Sequence, residues 1–413
     1  MAAYSLRRIV RVAACLVISA LILAVAGCGQ STEKEETVPE NIPEEYKQLY
    51  LQLWNKLGEF DEYLTSGRNI SEGKVTFAAE LLTANAHMGE RLLTEDQFQA
   101  NLVYLDGLQS LGIQGVKVTI AYPFLSSDFP NQELYLEFYK RIIQESRRRN
   151  MVVLVSIGNL LTGSQFGNVQ YSFVGLTLDR YRETKREMVG TIIRELHPDY
   201  LTVAVEPQTE TMAISLKQSP STFTETVQYI LEGLDRSGVD IGAGAGSWDD
   251  LEYVRELAQN TTLDYIDVHI YPADYLEQVV TMATIAHAAN KRLIIGEMWT
   301  YKVDESRLAG IGNVAAQAEI FGRDVYSFWQ PLDSKFLELT ARMAKDYKYE
   351  FISPFWSTYL FGYLDYEEVP VGISYPVLRQ RSNLRAWDNL LHNQVSETGL
   401  AYKKIINSAA VSK

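Results

Sequence analysis

The chain has 413 residues, 46% of them apolar and 22% charged, with 52 acidic against 38 basic side chains for a formal net charge of −14. A surface this acidic excludes nucleic acid as a partner, because phosphate binding needs a basic face, and the ordinary apolar share excludes a disordered chain. The length is enough for one large core, since α/β barrels pass 250 residues as a single domain. Five histidines and two cysteines argue against a zinc site, so neither metal nor cofactor is expected. The unusual number is aromatic, with 25 Tyr and 6 Trp.

The first 27 residues read as a leader and not as fold: "MAAYSLRRIVR" supplies positive charge and "VAACLVISALILAVAG" is an apolar run. The run ends in "VAGC", Val25 to Cys28, which resembles the lipobox of bacterial lipoproteins. That resemblance implies a chain exported and lipid-anchored through Cys28 to the bacterial cell membrane, with the outer membrane allowed because Gly29, not aspartate, follows. Removing residues 1–27 also removes Cys15, so the remaining chain can form no internal disulfide. Residues 28–43 are polar, charged and proline-bearing, the composition of a flexible tether. Residues 44–66 repeat at helical period and predict an amphipathic helix ahead of a main domain that runs to residue 413.

From there short apolar runs alternate with longer helical patterns. The strands are expected at 74–81, 115–123, 151–158, 200–206, 239–245, 263–272, 292–297 and 350–356. The stretch 324–331, "DVYSFWQP", competes for the last place, but 331–347 reads as the helix before a strand at 350–356. Strands apolar on both faces imply a parallel sheet covered by helices, and eight of them close a single (β/α)₈ TIM barrel. Residues 300–330 would then be an insertion at the barrel mouth, and "SNLRAWDNLLHN" and "LAYKKIINSAA" would form C-terminal closing helices.

In such a barrel the chemistry sits at the C-terminal strand ends. Those ends carry His87 after strand one, Tyr122, Gly158-Asn159, Glu206, Trp248 after strand five, His269 and Tyr271, Glu297 and Trp299, and Trp356. Two ends, on strands four and seven, place a glutamate directly after an apolar run. Alternation puts Thr202, Ala204 and Glu206 on the inward face. Paired carboxylates across one opening are the equipment of a retaining glycosidase. "GAGAGS" (242–247) lacks the lysine and spacing of a phosphate loop and reads as close backbone packing.

A glutamate closing strand four, a second closing strand seven, "HIY" on strand six and a strand-eight tryptophan resemble clan A glycoside hydrolases over residues 74–360, nearest to the endo-acting cellulase and galactanase families. The resemblance implies Glu206 as acid/base and Glu297 as nucleophile in a double displacement on an oligo- or polysaccharide. It further implies Tyr271 bonded to the nucleophile, His269 lining the cleft and Trp356 under the sugar, while strand-end position adds His87, Tyr122, Asn159 and Trp299 as candidate substrate contacts. One position departs from the family: the clan has asparagine before the acid/base, which binds the sugar 2-hydroxyl, and this chain has Val205. Asn159 taking over, a substrate different at that carbon, or a barrel that binds glycan without hydrolysis are each consistent with the change. A solute-binding lipoprotein of a transporter shares the leader and tether, but would need two lobes.

Overall fold

Val, Ile and Ala dominate eight short segments, each followed by a longer run of helical period. In the computed structural model these become β1 (Thr76–Glu80), β2 (Gly115–Tyr122), β3 (Val152–Asn159), β4 (Tyr200–Thr202), β5 (Asp240–Gly246), β6 (Tyr265–Ile270), β7 (Arg292–Met298) and β8 (Tyr349–Pro354). The structure describes residues 38–39, 41–67, 73–162, 169–304 and 314–411. The leader, Cys28 and nearly all of the tether lie outside the described residues. Every strand pairs in parallel with the next, and β8 pairs with β1, so the sheet closes on itself. The closed ring also removes the two-lobed alternative.

Each expected strand is present. The competing stretch 324–331 instead makes a 3₁₀ turn, Ser327–Trp329, leading into a helix with proline in its first turn. Pro331 has no N–H to give a sheet but fits a helix start. Strand four differs from expectation. It ends at Thr202, although Val203 and Ala204 still exchange backbone hydrogen bonds with Gly242 and Gly244 of β5.

The outer layer holds α1 (Glu44–Ser66), α2 (Glu95–Ser110), α3 (Gln132–Arg148), α4 (Leu178–Leu196), α5 (Pro207–Ile214), α6 (Pro220–Leu231), α7 (Leu251–Asn260), α8 (Leu276–Ala288), α9 (Val314–Arg323), α10 (Gln330–Asp346), α11 (Tyr375–Leu391) and α12 (Glu397–Val411). Thr94, Thr177, Ser219 and Asp250 start α2, α4, α6 and α7 by accepting an early backbone N–H, which sets where those helices begin. The N-terminal helix buries Tyr50, Leu53, Leu57, Phe60 and Leu64 as one stripe, with Tyr50 stacked on Trp329 at 5.4 Å. Of the expected insertion at 300–330, residues 305–313 lie outside the described residues, and α9 follows them.

The barrel interior alternates large and small side chains. Ala78, Leu154, Tyr265, Ile294 and Phe351 form its fully buried layer. The glycines of "GAGAGS" make room for that layer and for the site above it. A Cβ on Gly242 would fall 2.1 Å from the Tyr265 ring, and one on Gly244 would fall 1.6 Å from the Asp267 carbonyl oxygen. Close packing, and not phosphate, explains the glycine run. Gly244→Ala forces β5 and β6 apart, and the expected loss is on the order of 1–3 kcal/mol or more. Denaturant unfolding of that variant against wild type measures it.

Candidate active site

The bend between β6 and β7 decides where the second glutamate points. Asp267 pairs with Ile294 and His269 pairs with Glu297, so β7 carries one residue more than β6 across this interval. This bulge lifts Glu297 to stand opposite His269. Gly296 sits inside it, and its N–H donates to Asp267 Oδ1 at 2.8 Å. A Cβ there would lie 2.5 Å from both carboxylate oxygens of Asp267.

The first glutamate is placed differently from the sequence expectation. Glu206 does not sit on the strand. It lies just before α5 with left-handed backbone, φ 53° and ψ 69°, and Pro207 opens the helix at the next residue. Asp249 braces this corner: its carboxylate accepts Gly246 N–H at 2.8 Å and Gln208 N–H at 3.4 Å. Burial pushes the Asp249 carboxyl up to about 7.

The two glutamates converge on one imidazole. His269 Nδ1 lies 2.6 Å from Glu206 Oε1 and 3.6 Å from Glu297 Oε2. One ligating atom from each of the three residues lies within 4.8 Å of the other two. Both carboxylates reach the surface of the same cleft, with side chains 14% and 12% exposed. Tyr271 donates its hydroxyl to Glu297 Oε2 at 2.5 Å.

Behind them runs a row of buried charge that sequence reasoning missed. Lys117, in the middle of β2, pairs with Glu297 and lies 3.1 Å from Glu80 Oε2 at the end of β1. Glu80 also accepts from Thr119 at 2.7 Å and from Asn85 at 3.1 Å. Lys117 and Glu80 are fully buried. Burial alone would discharge the Lys117 ammonium, but Glu297 and Glu80 outweigh it and hold it charged well above the usual lysine range. Burial likewise opposes an ionised Glu297, and Lys117 with His269 overcomes it and keeps that carboxyl below the usual range. At Glu80 burial wins, and the carboxyl rises. At His269 burial favours the neutral ring, yet Glu297 and Asp267 raise it to about 10. The signal was in the sequence: a lysine inside "GVKVTIAYP" and an aspartate inside "YIDVHI" must each find a partner once buried.

The geometry of Glu206, His269 and Glu297 would admit a cation, but a protonated His269 has no free lone pair and Lys117 already neutralises Glu297, so the chemistry of the set opposes it.

The cleft above the pair has a volume of about 1820 Å³. Of the residues expected in the site, Glu206, Glu297, His87, Tyr271 and Trp356 line it, and His269 lies directly beneath. Trp248, Tyr301 and Phe355 line it as well, with Tyr301 stacked on Tyr271 at 4.5 Å. His87 Nε2 accepts the Leu161 N–H at 3.2 Å while Nδ1 meets Asn85 Oδ1 at 2.9 Å, which leaves the proton on Nδ1. Burial pushes His87 down to about 4, so it is neutral at ordinary pH.

Three expected contacts are not in the cleft wall. Tyr122 is buried edge-on against Tyr181 at 4.8 Å, and Asn159 lies beside the same tyrosine. Trp299 is buried against Tyr359 at 5.7 Å. In each case the packing of neighbouring rings absorbs the side chain that strand-end counting assigned to solvent. Val205 is buried too.

No family model matches the sequence, and no curated protein matches it either. Solved structures do match its fold. A GH5_18 protein from Bifidobacterium longum subsp. infantis aligns with TM-score 0.53 at 12% identity, over 82% of this chain and 79% of its own. A variant of GH5_18 from Bifidobacterium longum subsp. longum ATCC 55813, in complex with Manβ1-4GlcNAc, aligns with TM-score 0.50 at 12% identity, over 81% and 78%. The exo-β-1,4-mannosidase Op5Man5 from an Opitutaceae bacterium, strain TAV5, aligns with TM-score 0.51 at 12% identity, over 83% and 62%. What these structures share with the chain is the closed eight-stranded (β/α)₈ barrel. At this identity the likeness is one of fold.

Two outcomes test the electrostatics. Replacing Lys117 with Met strands Glu80 and Glu297 in the core, and stability at neutral pH falls by about 3–5 kcal/mol. Adding Glu80→Gln restores part of it, measured by denaturant melts. The raised His269 contributes stability that is full below about pH 6.5 and is lost as pH climbs toward about 10. Melting temperature against pH checks this, and His269→Gln flattens the alkaline limb.

Proposed function

We propose that the protein is a retaining glycoside hydrolase acting on an oligo- or polysaccharide. The observation that carries this reading is the approach of Glu206 and Glu297, with ligating atoms within 4.8 Å, at one open cleft. Retaining enzymes hold their carboxyl groups about 5–5.5 Å apart, and inverting ones about 6.5–9.5 Å. The fold neighbours include one named an exo-β-1,4-mannosidase and one solved with Manβ1-4GlcNAc, which supports a β-linked glycan as the substrate class.

The asymmetry of the pair assigns the roles. Glu297 has a permanent cation beside it in Lys117 and a hydroxyl from Tyr271, so it is the ionised nucleophile. Glu206 has no lysine or arginine at ion-pair distance among the described residues; its partner is His269. The proton for the departing oxygen is held between those two. In the first step a Glu297 oxygen attacks the anomeric carbon, the glycosidic bond breaks, and that proton passes to the leaving oxygen. In the second, Glu206 takes a proton from water, which attacks the same carbon and releases Glu297. Trp356, Trp248 and Tyr271 offer ring surface to the apolar C–H face of the sugar. The leader-like start and Cys28 support a reading in which this activity lies outside the cytoplasm on a lipid anchor. Val205, in place of the clan's asparagine, favours a second reading in which the cleft holds glycan without cutting it.

Glu297→Gln is expected to abolish turnover. Glu206→Gln is expected to cut it by about 10²–10⁴-fold on natural glycosides, and much less on aryl glycosides whose leaving groups need no proton. Initial rates on both substrate types measure this. Full activity in either variant, or binding with no product in wild type, overturns hydrolysis by this pair.

A further inference from the structure

The cleft is larger than the chemistry at its centre requires. About 1820 Å³ exceeds the space a small ligand fills, which is about 300–1000 Å³. One of its walls is α11, a C-terminal helix that no strand-end argument reaches. Pro376, Arg379, Gln380, Asn383 and Trp387 all face the cleft. Their spacing of three and four residues marks a single helical stripe. Leu378, Ser382, Ala386 and Leu390 form the adjoining buried stripe that fixes the helix. The seat is tight. Asn389 Nδ2 donates to the Phe361 carbonyl at 2.8 Å, and a Cβ on Gly362 would fall 3.0 Å from the Ala386 backbone. From Pro376 to Trp387 the stripe runs about 16 Å at the helical rise, long enough for several pyranose rings.

Its chemistry suits sugar. Gln380 and Asn383 are exposed amides that donate and accept, matching hydroxyl groups. Trp387 is half-buried, with its ring at the cleft. The other cleft tryptophans are already packed: Trp356 against Phe355 at 5.0 Å, Phe321 at 5.3 Å and the Arg379 guanidinium at 4.9 Å, and Trp248 against Tyr271 at 5.8 Å. Trp387 has no such ring neighbour among the described residues. A tryptophan kept half-open beside amides, continuous with the catalytic cleft, has the form of a stacking platform.

We propose that α11 is a distal glycan-binding wall, with Trp387 as its platform and Gln380 and Asn383 as its hydrogen-bonding groups. The substrate is therefore a chain of several β-linked sugars that lies from the Glu206–Glu297 pair out along this helix. This rests on the hydrolytic reading for the catalytic pair, but not for the binding itself.

The test compares wild type, Trp387→Ala and Trp387→Phe on β-1,4-linked manno- and gluco-oligosaccharides from disaccharide to hexasaccharide and on an aryl monoglycoside. The expected result is that Trp387→Ala lowers kcat/KM on the hexasaccharide about tenfold more than on the aryl glycoside, with Trp387→Phe recovering part of the loss. In the Glu297→Gln background, calorimetry with hexasaccharide should show the same loss of affinity on adding Trp387→Ala, with disaccharide affinity little moved. Equal losses on long and short ligands, or none, overturn the wall. Turnover persisting in Glu297→Gln alone overturns the catalytic reading and leaves the calorimetric test of the wall standing.

Discussion

Charges of alternating sign cross the mouth of the barrel: Glu80, Lys117, Glu297, His269 and Glu206, with Asp267 below the histidine. The glutamates and the cations come from the ends or interiors of β1, β2, β7 and β6 and from the turn after β4. Each member is buried or nearly so, and each would be costly alone. Lys117, Glu297 and His269 stay charged in this company, because each cation lies between two acids and Glu297 lies between two cations. Removing a member leaves its neighbours stranded, so the row is held by its own completeness and not by any one pair.

That row exists only because the sheet closes. β1 and β2 reach β7 through β8, and without the β8–β1 pairing Lys117 would face water and not Glu297. The packing below serves the same end. Glycines on β5 admit the Tyr265 ring and bring β6 close, while the glycine in the β7 bulge admits the Asp267 carboxylate. Asp267 then sits 3.8 Å from His269 Nε2, and the histidine stands where both catalytic candidates meet it. Small residues in the interior thus set the geometry at the rim.

The outer elements turn this arrangement into a cleft. The N-terminal helix is latched to the loop after β6 by Lys56 and Asp274, and α11 is seated on the loop after β8. Both contribute lining residues. Helices that look like packaging in the sequence are walls of the binding space.

Much of this was legible beforehand. The periodicity marked eight strands because a buried parallel strand must be apolar on both faces. The two glutamates stood out because carboxylates at the end of apolar runs need a reason. What stayed hidden is instructive. Trp299 and Tyr122 lie at strand ends exactly as Glu297 does, but rings can bury themselves against other rings, and their partners Tyr359 and Tyr181 are distant in sequence. Lys117 was visible as a charge inside a strand, but its partners were not, since they are 37 and 180 residues away in the chain. The amino-acid order by itself determined the element types, their number and the residues able to do chemistry, because these follow from local periodicity and side-chain class. The tertiary structure alone decided which of those residues face one another, because ring closure, a one-residue bulge and the glycine contacts act between segments that no local pattern connects.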